Sequence, residues 1–254
     1  MNNKTRPAWC RPDGPLNVWK IVEGTEKLAD GSTRPIRFSI QEVPEDRREE
    51  TMQHMIKYFL ADEPICKSLK MKGDPEMIRG FRVYWNYCLD QGIVEAAYVI
   101  DKDNEILELA AVNMLNVVCD ETDKEMGDLL RLLESPKLIK LFDIILEISH
   151  KADARKILNV DKYIAALGLS VAPHIRGQKL GQRMLEARDE IGKKYNIPAT
   201  STVFTATASQ ILAARAGFKE ELSQDYSDFL DDDGEPFFPN IETKCMKIMM
   251  KKIE

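Results

Sequence analysis

The chain has 254 residues, 44% of them hydrophobic and 31% charged, and a formal net charge of −6. That length can bury a substantial core, and the composition is that of an ordinary globular protein. The acidic balance speaks against a nucleic-acid binder, which carries a basic face, but it leaves room for an anion held at one local basic turn.

Residues 1–35 mix Pro, Gly and charged side chains around one apolar patch at 18–22, which predicts a mobile start with one short strand. The alternation of RFSIQEV at 37–43 predicts a half-buried strand, ended by Pro44. From Glu45 the period becomes helical, with Met52, Met55, Ile56 and Phe59 on one face. That helix must stop near Asp62, because Pro64 disfavours the α region before it. A second helix is expected from Pro75 to about residue 90, with Gly92 as its stop signal. IVEAAYVID and EILELAAVNML then read as two strands joined by a tight loop. Residues 122–152 read as two helical pieces broken at Ser135-Pro136. YIAALGLSVA is apolar enough for a central strand buried on both faces. Helix 178–195, strand ATSTVFTA, a short helix at 208–216 closed by Gly217, an Asp-Gly turn and the strand-like TKCMKIMMKK complete the chain. With no repeat and no Ser/Gly linker, one mixed α+β domain is expected over 36–254.

Five widely spaced cysteines without a C-x-x-C pair read as reduced thiols. The histidines His54, His150 and His174 show no metal-ligand spacing, so no metal is expected. The start of the chain lacks the apolar core of a secretory signal, and no run approaches the roughly 20 apolar residues of a membrane span. A cytoplasmic monomer without membrane or nucleic-acid partners is expected.

The stretch SVAPHIRGQKLGQRMLEA, residues 170–187, places a basic, glycine-containing turn between a strand and a helix N-terminus. Free backbone N–H groups and the helix dipole make such a turn an anion cradle, and Gly177 would let the backbone approach a phosphate. Arg176 and Lys179 add full charges. A plain turn has the same outline, but the spacing fits neither a P-loop nor a dinucleotide fingerprint.

LSVAPHIRGQKLGQRML resembles the coenzyme-A pyrophosphate motif of the GNAT N-acetyltransferase superfamily, V-x-P-x-x-R-G-x-G-x-G followed by a helix. RAGF at 215–218 is similar to that superfamily's closing K-x-G-F, and Lys179 departs from the usual glycine. YFLADEPICKSL resembles the F-x-x-D-E-P-L segment of the insect arylalkylamine N-acetyltransferases, as TATASQILAARAGF and DYSDF resemble their serine-rich stretch and tail. The resemblance implies an α+β GNAT fold: a mixed central sheet with helices on both faces, its central strand followed by a pyrophosphate-binding turn and helix. It also implies an acyltransferase that moves an acetyl group from acetyl-CoA to the primary amine of a small arylalkylamine, of dopamine, serotonin, octopamine or tryptamine type, by direct attack in a ternary complex.

On this resemblance Glu63 is the expected general base, with a solvated helix-end carboxylate as the plain alternative. A carboxylate at a helix C-terminal end lies near partial negative charge, which favours its protonated form. Ser209 and Thr205 are the expected hydroxyls near the thioester, with helix capping by Thr207 or Ser209 the rival reading. Ala213 stands where many GNAT enzymes have an acidic tyrosine. Leu169, Ser170 and Val171 would serve the pantetheine arm through main-chain groups, and Arg176, Gly177, Gln178, Lys179, Leu180, Gly181 and Gln182 would hold the pyrophosphate. Two other readings stay open: the same fold with a polyamine, an amino-acid-like amine or a longer acyl donor, and a coenzyme-A-binding protein without catalysis.

Overall fold

The computed structural model describes residues 6–27 and 30–254. Its strands are β1 (Val18–Lys27), β2 (Thr33–Glu42), β3 (Glu95–Ile100), β4 (Ile106–Val118), β5 (Tyr163–Val171), β6 (Ala199–Phe204), β7 (Lys219–Asp225) and β8 (Cys245–Lys252). They form one sheet in the order β1-β2-β3-β4-β5-β6-β8-β7, antiparallel throughout except where β5 meets β6. The strand expected at 18–22 reaches Lys27 and pairs along its length with β2, so the sheet begins ahead of residue 36. The rest of the mobile start expected over 1–35 falls partly outside the described residues. β7 had no apolar signal, because KEELSQD is an edge strand with mostly exposed side chains.

The helix expected from Glu45 is one helical run of changing pitch. A 3₁₀ turn (Glu45–Arg47) leads into α1 (Arg48–His54), a π-turn (Met55–Phe59) and α2 (Leu60–Asp62). After Glu63 come α3 (Pro64–Ser68) and α4 (Pro75–Gln91), which Asp74 caps and Gly92 closes in the left-handed conformation. The break at Ser135-Pro136 separates α5 (Asp120–Leu130) from α6 (Pro136–Lys151), and α7 (Ala154–Leu158) leads into β5. The last helices are α8 (Leu180–Tyr195) and α9 (Thr207–Arg215).

Alternation along β3 divides the core. Ala96, Tyr98 and Ile100 pack with Met52, Trp85, Met126 and Phe142 of α1, α4, α5 and α6. Ala97 and Val99 pack on the opposite face with Met184 and Ala187 of α8. Helices therefore cover both faces, and none among the described residues is long and apolar enough to cross a membrane.

Two features open the centre of the sheet. β5 and β6 pair at Ile164 and Thr200 and not beyond, so the far part of β5 has no strand on its β6 side. β5 also bulges, since Asn113 lies opposite Leu169 while Leu115 lies opposite Ala166. Gly168 makes the bulge at φ +122°, with Phe59 and Met55 packed against it. An added Cβ would lie 2.8 Å from Met55 Cε and 2.9 Å from the Phe59 ring. Gly168→Ala should therefore cost about 1–3 kcal/mol of stability, read by chemical denaturation; an unchanged midpoint would show that the bulge relaxes freely.

Polar side chains are buried beside this opening. Glu95 is fully buried, and its Oε1 accepts from Asn113 Nδ2 at 2.8 Å while its Oε2 has no partner. Burial pushes its carboxyl up to about 8, against the pull of Asn113 and Arg188. Between its ordinary 4.5 and 8 the folded chain holds a proton that the unfolded chain has lost, so stability falls as pH rises. His54 has the opposite sense: burial lowers it from 6.5 to about 4, so its contribution is lost as pH falls below 6.5. From pH 6.5 to 8 Glu95 acts without that opposition. The denaturation midpoint should decline across this window, and Glu95→Gln should flatten the decline; an equally steep curve for the variant would assign the dependence elsewhere.

Candidate active site

A cavity of about 730 Å³ runs through the opening of the sheet. Leu169, Ser170 and Val171 line it from β5, beyond the point where β6 diverges. A strand paired on one side only leaves main-chain N–H and C=O groups unclaimed on the other, and an extended ligand can take them. The near-continuous burial expected for β5 is therefore incomplete, as Ala165 to Leu169 are half-buried against the cavity.

Glu63 also lines the cavity. The chain turns extended at this residue, with φ −67° and ψ 132°, because Pro64 opens α3. Its Oε2 accepts from the Cys66 N–H at 2.7 Å, and its Oε1 accepts from the Thr205 hydroxyl at 2.7 Å. The helix-end setting expected for Glu63 is corrected in one respect: the side chain caps the N-terminus of α3, so donors face it where partial negative charge was expected. The Thr205 carbonyl in turn accepts from the Tyr226 hydroxyl at 2.8 Å. Burial, then the nearby Glu63 charge, holds that phenol far above its ordinary range. Cys66 is buried, and burial with the Glu63 charge raises its thiol well above the usual value, which disfavours the thiolate.

Ser209 lines the cavity, and its hydroxyl donates to the Ala206 carbonyl at 2.8 Å. The N-cap of α9 is Ala206, without a side-chain cap, so neither Thr207 nor Ser209 takes the capping role. Ala213 is wholly buried.

At the turn before α8, Arg176, Gly177, Lys179, Leu180 and Gly181 line the same cavity. Gly177 has φ +89° and open space where a Cβ would stand. Lys179 is the N-cap of α8 at φ +59° and ψ 18°, a left-handed conformation that costs an L-residue about 1–2 kcal/mol and suits the glycine of the motif. Its departure from the motif therefore keeps the backbone path. Arg176 Nε donates to the Val171 carbonyl at 3.1 Å, and its guanidinium pairs with Asp62. The side chains of Gln178 and Gln182 are engaged elsewhere. The Gln178 amide brackets the backbone of Thr25, accepting from its N–H at 2.8 Å and donating to its carbonyl. Gln182 Nε2 donates to Glu186 at 2.8 Å on its own helix. Only main-chain groups of these two remain for a ligand. His174 is exposed and bonds Glu108 at 2.6 Å.

On the other side of the sheet the cavity wall is aromatic and aliphatic, from Phe59, Phe81, Met126, Leu141, Phe142 and Ile145. The rings interlock, with Phe81 at 5.0 Å from Trp85 and 5.8 Å from Phe142. Trp85 Nε1 donates to the Leu167 carbonyl at 2.9 Å and ties α4 to the bulge. The apolar stripe at 138–148 thus serves both core and cavity. Asn116, Tyr163 and Arg188 also line the cavity, and sequence reasoning missed them because they sit inside otherwise plain strand and helix patterns. Tyr226 had a signal in DYSDF, but its link to Glu63 through Thr205 is tertiary. Among the described residues, no group of three or more His, Cys, Asp or Glu could hold a metal.

No family model matches the sequence, and no curated protein matches it. Solved structures do. A candidate arylalkylamine N-acetyltransferase 7 of the yellow fever mosquito Aedes aegypti superposes with a TM-score of 0.82 at 24% identity, over 97% of this chain and all of that one. Arylalkylamine N-acetyltransferase 2 of the same mosquito gives 0.73 at 23%, over 85% and 99%. A Drosophila melanogaster polyamine N-acetyltransferase gives 0.69 at 15%, over 85% and 99%. The chain has the GNAT N-acetyltransferase fold, an α+β architecture with a mixed sheet between helices.

Proposed function

We propose that the protein is an acetyl-CoA-dependent N-acetyltransferase that acylates the primary amine of an arylalkylamine by direct attack in a ternary complex. One observation carries this reading: a single cavity joins the basic glycine turn, the open edge of β5 and the carboxylate of Glu63. Two of the similar structures are named as arylalkylamine N-acetyltransferases, and the third as an enzyme that forms N-acetylagmatine. Both descriptions are of acetyl transfer to an amine. The interlocked rings of Phe59, Phe81 and Phe142 favour an aromatic acceptor, since rings pack well edge to face. The five cysteines are all free thiols, as suits a cytoplasmic protein.

The residues present fit coenzyme A. The turn offers main-chain donors and open space at Gly177, and β5 offers an unpaired strand edge. Arg176, Gly177, Lys179, Leu180 and Gly181 would hold the pyrophosphate, with main-chain groups of Gln178 and Gln182. Leu169, Ser170 and Val171 would hold the pantetheine arm. When bound, acetyl-CoA supplies the acetyl thioester and a thiol leaving group. An alkylamine arrives as an ammonium, and Glu63 takes its proton directly or through water, which frees the nitrogen lone pair. Thr205 and the Cys66 N–H hold the carboxylate in place for this step. A main-chain N–H near Val171 would polarise the acyl carbonyl, and the Ser209 hydroxyl, which lines the cavity, would return a proton to the departing sulfur.

Thiol release from acetyl-CoA with dopamine, serotonin, tryptamine, spermidine and a lysine peptide tests the function. Turnover with the aromatic amines is expected, and silence across the panel with acetyl-CoA still bound would overturn it. Glu63→Gln should lower kcat by about 10²–10⁴-fold while leaving coenzyme binding nearly intact; unchanged turnover at neutral pH would remove Glu63 as base. Arg176→Ala should weaken coenzyme A at least about tenfold, the loss of one charge-assisted hydrogen bond, and spare phosphate-free pantetheine analogues. Equal loss for both would move the cradle elsewhere.

A further inference from the structure

The segment DYSDF carries a phenol that the proposed chemistry does not use. Tyr226 opens a short 3₁₀ turn (Tyr226–Asp228) directly after β7, and its N–H donates to the Lys244 carbonyl ahead of β8 at 3.0 Å. The residue is 2% exposed, and its ring meets Phe238 edge to face at 5.2 Å. From this packing its hydroxyl donates to the Thr205 carbonyl at 2.8 Å. Burial holds the phenol far above its ordinary range, so it stays a donor at working pH.

Thr205 lies where regular structure gives out. The last pair between β6 and β8 is Phe204 with Lys247, and α9 begins at Thr207. A residue between a ladder and a helix keeps its backbone place through other contacts. Gln210 on α9 supports the same turn, its Nε2 donating to the Phe204 carbonyl at 3.1 Å and the Cys245 carbonyl at 2.8 Å. Both hydrogens of one side-chain amide thus join the end of β6 to the start of β8. Neither Tyr226 nor Gln210 lines the cavity, so neither is placed to touch a ligand there.

The consequence falls on Glu63. Of its two donors, the Cys66 N–H stands three residues on in the same turn, while Thr205 is 142 residues away. The carboxylate's bearing on the cavity therefore depends on where Thr205 is held. A general base works only within hydrogen-bond reach of its proton and correctly aimed. We propose that Tyr226 and Gln210 are positioning residues that clamp the β6–α9 turn, so that the Thr205 hydroxyl aims the Glu63 carboxylate at the acceptor amine. The clamp deepens the acetyltransferase reading and rests on it.

Tyr226→Phe keeps the ring on Phe238 and removes only the hydroxyl; Gln210→Met keeps the side-chain length and removes the amide. With the best acceptor of the amine panel, each should lower kcat at least about fivefold and leave the KM for acetyl-CoA unchanged. In a Thr205→Val background, which lacks the aiming hydroxyl, Tyr226→Phe should cost less than about twofold further. A parental kcat in Tyr226→Phe would overturn the clamp, and so would the full loss repeated in the Thr205→Val background. Hydrogen exchange over residues 204–210 reads the clamp without turnover, and Tyr226→Phe should quicken it at least about fivefold. Unchanged exchange would overturn the clamp even in a protein that acetylates amines. Quickened exchange in a protein that acetylates none would overturn the acetyltransferase reading and leave Tyr226 a structural tether only. Should Tyr226→Phe not fold, Gln210→Met carries the same kinetic and exchange tests.

Discussion

The guanidinium of Arg188 is almost wholly buried where β5 and β6 separate, and it reaches from one side of β5 to the other. It donates to Thr200 at 3.2 Å and Thr202 at 2.8 Å on β6, and to Asn113 at 3.3 Å on β4. A buried cation costs several kcal/mol unless its donors are met; three side chains meet the two terminal nitrogens, while the buried Nε has no partner, so the cost is offset only in part. Arg188 stands eight residues into α8 from Leu180, about 12 Å along the helix axis. The same side chain that braces the gap therefore fixes the helix whose N-terminus forms the proposed anion cradle. Cavity, strand edge and cradle keep a common frame through it.

The proposed base and the proposed cradle are coupled again on the other side of the cavity. Asp62 and Glu63 are consecutive, but they face different partners: Asp62 pairs with Arg176, and Glu63 is held by Thr205 and the start of α3. Pro64 produces this divergence by ending one helix and opening the next, which turns the chain extended at Glu63. Arg176 also grips the Val171 carbonyl, so the segment that bears the carboxylate is tied to the strand that would present the acyl group. On the proposed function, a phosphate entering the turn would meet an arginine already placed by Asp62.

How much of this was legible in the sequence depended on the range of the forces involved. Gly92, Pro136 and the apolar period of 52–59 act locally, and their helices lie where the pattern placed them. β7 was hidden, because an edge strand with a solvated face needs no apolar alternation. Arg176, Gly177 and Glu63 belong to short motifs whose chemistry follows from neighbours in the chain. Trp85, Tyr226 and Arg188 matter through partners 21 to 82 residues away, and no local pattern records that. The bulge at Gly168 is intermediate: a glycine inside a strand marks a close approach, but only the fold shows that Phe59 makes it.

The two halves of the cavity make unequal demands on side chains. The half proposed for the coenzyme presents largely main-chain groups, with Lys179 in a left-handed position and the side chains of Gln178 and Gln182 turned elsewhere. The acceptor half is built from side chains on α4, α5, α6, β4 and β5, where one exchanged ring or amide changes shape and polarity together. On the proposed function, donor binding would rest mainly on the path of the backbone, and acceptor choice on individual side chains such as Phe142.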